Sequence, residues 1–167
     1  MLCTAQLGIA NTQFLRPRNS ELKTYAMTIQ LDHFIVPSRD RMAAAKLLGT
    51  LLGVGWAEQG AVGPFSPVYV SENLTLDFDQ WGGGGTFPKQ HYCFRVSQEE
   101  FECILARIKK AGIAFRSLPH GADDHKVNPA FGGRLVYWNE PDGHVWEMLT
   151  VSYERQPAPS AAPSNSQ

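Results

Sequence analysis

The sequence predicts an α+β fold in which one unit, βαβββ, is used twice. Three observations carry this expectation. Two strand-like runs each bear a histidine, Leu31-Asp32-His33-Phe34-Ile35-Val36 and His91-Tyr92-Cys93-Phe94-Arg95-Val96. Each is followed by a helix-length stretch closed by a glycine, Gly53 or Gly112. Each helix is then followed by three short runs rich in β-branched and aromatic residues.

In the first copy, Pro37-Ser38 ends the strand, and a helical run reaches Leu52 with Met42, Ala45, Leu48, Leu51 and Leu52 on one face. Strands are expected at Gly55–Glu58, Val68–Val70 and Leu74–Asp79. The glycine-rich Trp81-Gly82-Gly83-Gly84-Gly85 reads as a flexible loop; no strand leads from it into a helix, as a phosphate-binding loop requires. In the second copy, Ser97-Gln98-Glu99-Glu100 is a capping box. Phe101, Ile104, Leu105 and Ile108 then follow at i, i+3, i+4 and i+7, the spacing of one buried helix face. Ile113–Arg116, Leu135–Trp138 and Val145–Val151 complete the copy. Between the last two, Glu140-Pro141-Asp142-Gly143 has the residue order of a type I turn, so these strands form a hairpin.

The chain has 167 residues, 43% of them hydrophobic and 19% charged, enough apolar material for one domain or two small similar halves. A net charge of −1 offers no basic stripe for nucleic acid or an anionic membrane. No apolar run approaches the roughly 20 residues needed to span a bilayer. Cys3, Cys93 and Cys103 are too few and too scattered for a disulfide framework or a zinc knuckle, which suits a reduced, cytoplasmic setting. Residues 1–28 lack periodic patterning and read as a flexible extension, with Met27 a second possible start. Residues 29–155 read as the folded domain, with modules at about 29–80 and 91–153. The Pro/Ala/Ser-rich residues 156–167 read as a disordered tail.

Glu147 is the chemical anomaly. It sits inside an otherwise apolar strand, where burying a lone carboxylate is costly without a proton, a partner or a metal. His33 and His91 lie on two other strands, and two histidines with one carboxylate suit a divalent metal with open positions. Alternation along Leu74–Asp79 puts Leu74, Leu76 and Phe78 on one face and Thr75, Asp77 and Asp79 on the other. Each copy therefore supplies a histidine from its first strand and an acid from its last. Trp81, Tyr92 and Phe131 read as apolar pocket lining. The long stretch Leu118–Gly133 reads as a lid over the site, with His125, and after it His120, as candidate acid or base.

From about Ile29 to Tyr153 the chain resembles the vicinal oxygen chelate superfamily of glyoxalases, bleomycin resistance proteins and extradiol dioxygenases. The matching features are Leu31-Asp32-His33, Leu51-Leu52-Gly53, Gln90-His91-Tyr92-Cys93-Phe94-Arg95-Val96 and, most specifically, Glu140-Pro141-Asp142-Gly143-His144-Val145-Trp146-Glu147. The resemblance implies two βαβββ modules whose mixed sheets curl into a cup around one divalent ion, iron, nickel, zinc or manganese. It matches His33, His91 and Glu147 to the three shared ligands. Asp77 falls where glyoxalase I has a fourth, and the shorter aspartate leaves direct and water-bridged contact both open.

The activity this implies is a glyoxalase-like lyase or isomerase that chelates adjacent oxygens of a small metabolite, with Glu147 near the metal moving the proton. An Fe(II) extradiol-type dioxygenase is the first alternative, and a non-catalytic binder like the bleomycin resistance proteins the second. A homodimer is a further expectation.

Overall fold

The computed structural model describes residues 29–154; the expected N-terminal extension and C-terminal tail lie outside the described residues. Module one consists of β1 (His33–Ser38), α1 (Arg41–Leu52), β2 (Gly55–Trp56), β3 (Ser66–Ser71) and β4 (Leu74–Gln80). Module two consists of β5 (His91–Arg95), α2 (Gln98–Lys110), β6 (Phe115–Arg116), β7 (Leu135–Asn139) and β8 (Val145–Leu149). The sheets have the same topology, β1-β4-β3-β2 and β5-β8-β7-β6. In each, the first strand runs parallel to the last and the other pairs are antiparallel. The duplicated α+β plan is therefore the fold. No helix among the described residues is long and apolar enough to cross a membrane.

Local chemistry accounts for the boundaries. Asp40 caps α1 by accepting from Ala43 N at 3.0 Å, and Gly53 closes it in the left-handed conformation, φ 77°. The Ser97–Glu100 capping box is present at α2. The first strand begins and ends two residues later than expected. It runs through Pro37 because β1 is a sheet edge, where a missing N–H costs no ladder bond. Met42, expected on the packed face of α1, is 45% exposed; the buried face is Ala44, Ala45, Leu48 and Leu51.

Both helices and the backs of both sheets share one core. Val36, Leu48, Leu51, Leu76 and Phe78 from module one pack with Phe101, Ile108, Val136, Trp138, Trp146 and Met148 from module two. An aromatic stack crosses the junction. Phe34 lies 5.3 Å from Tyr92, and Tyr92 lies 4.5 Å from Trp146. Tyr92 is thus a core residue and not pocket lining, because alternation turns it away from His91 and Cys93.

The Glu140–Gly143 turn locks the modules together. Gly143 N donates to Glu140 O at 2.8 Å, and φ of +88° at Gly143 selects glycine there. The Glu140 carboxylate is spent inside the turn, accepting from Asp142 N at 2.7 Å and His144 N at 2.9 Å. Buried Asp142 then reaches module one, accepting from Ser38 Oγ at 2.6 Å and from the Arg39 backbone at 3.2 Å. His144, fully buried, accepts from Gln90 N through Nδ1 at 3.0 Å. Its proton therefore sits on Nε2, which donates to Pro37 O at 2.8 Å. On the helix side, Arg107 Nη1 donates to the terminal α1 carbonyls of Leu51 and Leu52. Replacing Asp142 by Ala strands the buried Ser38 hydroxyl and the Arg39 N–H, and should cost about 2–4 kcal/mol, read as a lowered urea midpoint with unchanged slope.

Candidate metal centre

Side-chain alternation leaves each sheet one face outside the shared core. On module two this open face carries His91, Cys93 and Arg95 from β5 and Glu147 and Leu149 from β8, all lining a cavity of about 410 Å³ with Tyr153 and Glu154. Tyr137 pairs directly across from Glu147 on β7. Glu147 is 0% exposed. Its Oε2 lies 3.0 Å from His91 Nε2 and accepts from Tyr153 Oη at 3.2 Å. Its Oε1 has no hydrogen-bond partner.

Burial, and after it this carboxylate, sets the titration of the neighbouring groups. Burial first, and the Glu147 charge second, push the phenols of Tyr137 and Tyr153 upward, Tyr153 to about 12. Cys93 still reaches solvent, yet the surrounding wall and then Glu147 push its thiol up to about 12. These three groups are thus neutral hydrogen-bonding walls near neutral pH. Cys93 was legible as the next residue on the His91 face. Tyr153 lies beyond β8, in an irregular segment with no periodic signal.

On module one the open face carries His33 and Ile35 from β1 and Thr75, Asp77 and Asp79 from β4. His33 and Asp77 line a second cavity, of about 360 Å³, with Asp32, Val62, Phe65 and Thr75. Asp32 Oδ2 lies 2.7 Å from His33 Nδ1 and, with lesser help from Asp77, raises the imidazole pKa. That contact assigns the Nδ1 proton to Asp32 and leaves Nε2 without a partner, the arrangement that orients a ligating histidine.

Within one chain the two sets do not meet. His91 and Glu147 are together, His33 and Asp77 are together, and among the described residues no three His, Cys, Asp or Glu side chains converge to hold a metal ion. The loop ahead of β7 is pinned down. Asp124 accepts from Ser117 N, Ser117 Oγ and Lys126 N, and Asn128 bridges to Leu135. His125, at φ 55°, donates its N–H to Phe115 O and sets its ring edge-on to Phe115 at 5.1 Å. Neither it nor the exposed His120 lines the Glu147 cavity. The part of the loop that approaches this cavity is Phe131, whose ring packs on Tyr153 at 5.1 Å with φ 59°.

Glu147 passes a test for a metal ligand on its own surroundings. A fully buried carboxylate with one oxygen unpartnered is destabilising as it stands, and a cation at Oε1 relieves that cost. His91 supplies a second donor on the same side. Glu147→Met should therefore stabilise the metal-free protein by about 1–2 kcal/mol while abolishing divalent metal binding. Urea unfolding in chelator, beside calorimetric metal titration, checks both halves.

No family model matches the sequence, and no curated protein matches it. Solved structures do. Oxidase ChaP-H2 is 36% identical with a TM-score of 0.69, over 76% of this chain and 97% of that one. Oxidase ChaP-H1 is 40% identical with a TM-score of 0.67, over 75% of this chain and 98% of that one. A glyoxalase/dioxygenase from Nostoc punctiforme is 20% identical with a TM-score of 0.53, over 80% and 97%, and supports the fold alone. With its duplicated βαβββ topology, its Glu140–Glu147 motif and relatives above 30% identity over nearly their whole length, the chain belongs to the vicinal oxygen chelate superfamily.

Proposed function

We propose that this protein is a metal-dependent enzyme acting on a small oxygenated molecule, with its site shared between two copies of the chain. His91 and Glu147 of one protomer would face His33 and Asp77 of the other. The observation that carries the reading is the buried, half-unpartnered Glu147 carboxylate beside His91 on an open sheet face. The separation of the two pairs within one chain supports sharing, because each open face carries half of a ligand set. Apolar side chains also stand exposed on the first face, Ile35 and Tyr69 each at 46%.

A divalent ion held there supplies Lewis acidity toward paired substrate oxygens and, when it is iron, access to O₂. The chain's own groups do the rest. Tyr153 Oη holds Oε2 of Glu147, and Asp32 holds Nδ1 of His33, so each ligand is oriented before anything binds. Tyr137 and Tyr153, neutral at working pH, flank the Glu147 carboxylate, and their protons serve to hold it in place. Phe131 over Tyr153 shields that corner from water. An oxidative reaction is the favoured chemistry, since the two similar structures at 36% and 40% identity are named oxidases. The lyase or isomerase reading stands second, supported by Asp77, an extra acid on the His33 face.

Mixing variants tests the shared site. His33→Ala and Glu147→Ala proteins should each fail to bind metal. Unfolded and refolded together, they should recover about a quarter of a metal ion per chain, because half the dimers then hold one intact site. A site built within one chain would give no recovery. Metal analysis after anaerobic purification separates the two chemistries: iron supports oxidation, nickel or zinc the lyase.

A further inference from the structure

Among the described residues, the arginines are committed to partners with one exception. Arg39 pairs with Asp142, Arg41 with Ser66 and the Glu58 carbonyl, Arg107 with the end of α1, Arg116 with Asn139, and Arg134 with Glu102. Among the arginines of the described residues, Arg95 alone has no hydrogen bond, ion pair or aromatic face to rest on. Its side chain reaches solvent, but it does so from the wall of a cavity. It lies on the open face of β5 in line with His91 and Cys93, opposite buried Leu149 on β8, and lines the same 410 Å³ cavity as Glu147. Four residues along a strand separate Arg95 from His91 by about 13 Å. One carboxylate, Glu154, also borders the cavity, yet forms no ion pair with Arg95.

We propose that Arg95 is the specificity residue of the cavity: it binds an oxyanion, carboxylate or phosphate, at the end of the substrate remote from His91 and Glu147. The inference rests on reading this face as a substrate site. A guanidinium presents a planar fork of N–H groups that fits two oxygens of either anion at once. It needs no partner from the protein when the ligand is that partner. Leu149 beside it on β8 gives the pairing an apolar wall on one side. The substrate class that follows is an elongated acid or phosphate ester with its reacting oxygens at the other end. Glu154 would compete for Arg95 in the empty cavity and tune how tightly the anion is held.

The test uses the full chain, metal-free, titrated with sodium benzoate and separately with sodium phosphate at ionic strength held constant with chloride. The Arg95 Nε–Hε resonance, assigned by its loss in Arg95→Gln, is the readout. One of the two anions should shift it saturably, benzoate for a carboxylate substrate and phosphate for a phosphorylated one. Arg95→Gln should weaken that binding by about tenfold, and Glu154→Gln should strengthen it, with metal affinity unchanged in both. Equal anion binding by wild type and Arg95→Gln overturns the proposal, as does a wild type that binds neither anion saturably. A wild type that binds the anion through Arg95 but takes up no metal would sink the enzymatic reading and leave the anion site standing.

Discussion

The buried contact of Asp142 with Ser38 and Arg39 is the constraint on which the rest of the structure depends. Each βαβββ module has a sheet with two faces and one helix to cover only one of them, so neither buries its apolar surface alone. The shared core solves that by setting the backs of both sheets and both helices against one another. Apolar packing is indifferent to orientation, however, and directional bonds must choose it. Asp142, His144 and Arg107 each carry a hydrogen bond from one module to the other, and together they leave both open faces turned away from the core.

This changes the meaning of the Glu140–Glu147 motif. Read as a motif, it points to the metal ligand at its end. In the structure, Glu140, Asp142, Gly143 and His144 work on the architecture, and of the motif only Glu147 lines the module-two cavity. The two jobs are coupled by strand geometry. The turn sets the register of β7 against β8, and a slip of one residue would put Glu147 into the core and Trp146 into the cavity. A motif dense in specific residues is therefore what this hairpin needs, since one error of register destroys the core and the site together.

The open face of module two gathers groups with one thing in common: their hydrogen-bonding capacity is incompletely used. Glu147 has an unpartnered oxygen, and Arg95 an unpartnered guanidinium. Other buried N–H groups also lack partners, Arg116 Nε, Trp138 Nε1 and Trp146 Nε1, but none of these residues lines the module-two cavity. A carboxylate oxygen and a guanidinium left unpartnered in one cavity are what a molecule leaves for a ligand.

The sequence by itself determined the duplicated α+β plan, the helix caps, the hairpin turn and the face on which each strand residue lies. These follow from local rules: 3.6 and 2.0 residue periods, capping chemistry, and glycine at positive φ. So His33, His91, Asp77 and Glu147 could be placed on open faces without coordinates, and Cys93 and Arg95 followed from the same alternation. The expectation of Tyr92 as pocket lining fails on the same alternation, which sets it opposite His91 and Cys93 and against Phe34 of the other module. Tyr153 was missed because no repeat governs an irregular segment. Only the tertiary structure decided that His33 and Glu147 stand on separate faces of one chain, and that the His125 loop is tied to Phe115 rather than poised over the site. Periodicity specifies which way a side chain points from its own sheet; how two sheets are set against each other rests on a few long-range hydrogen bonds whose partners no local pattern announces.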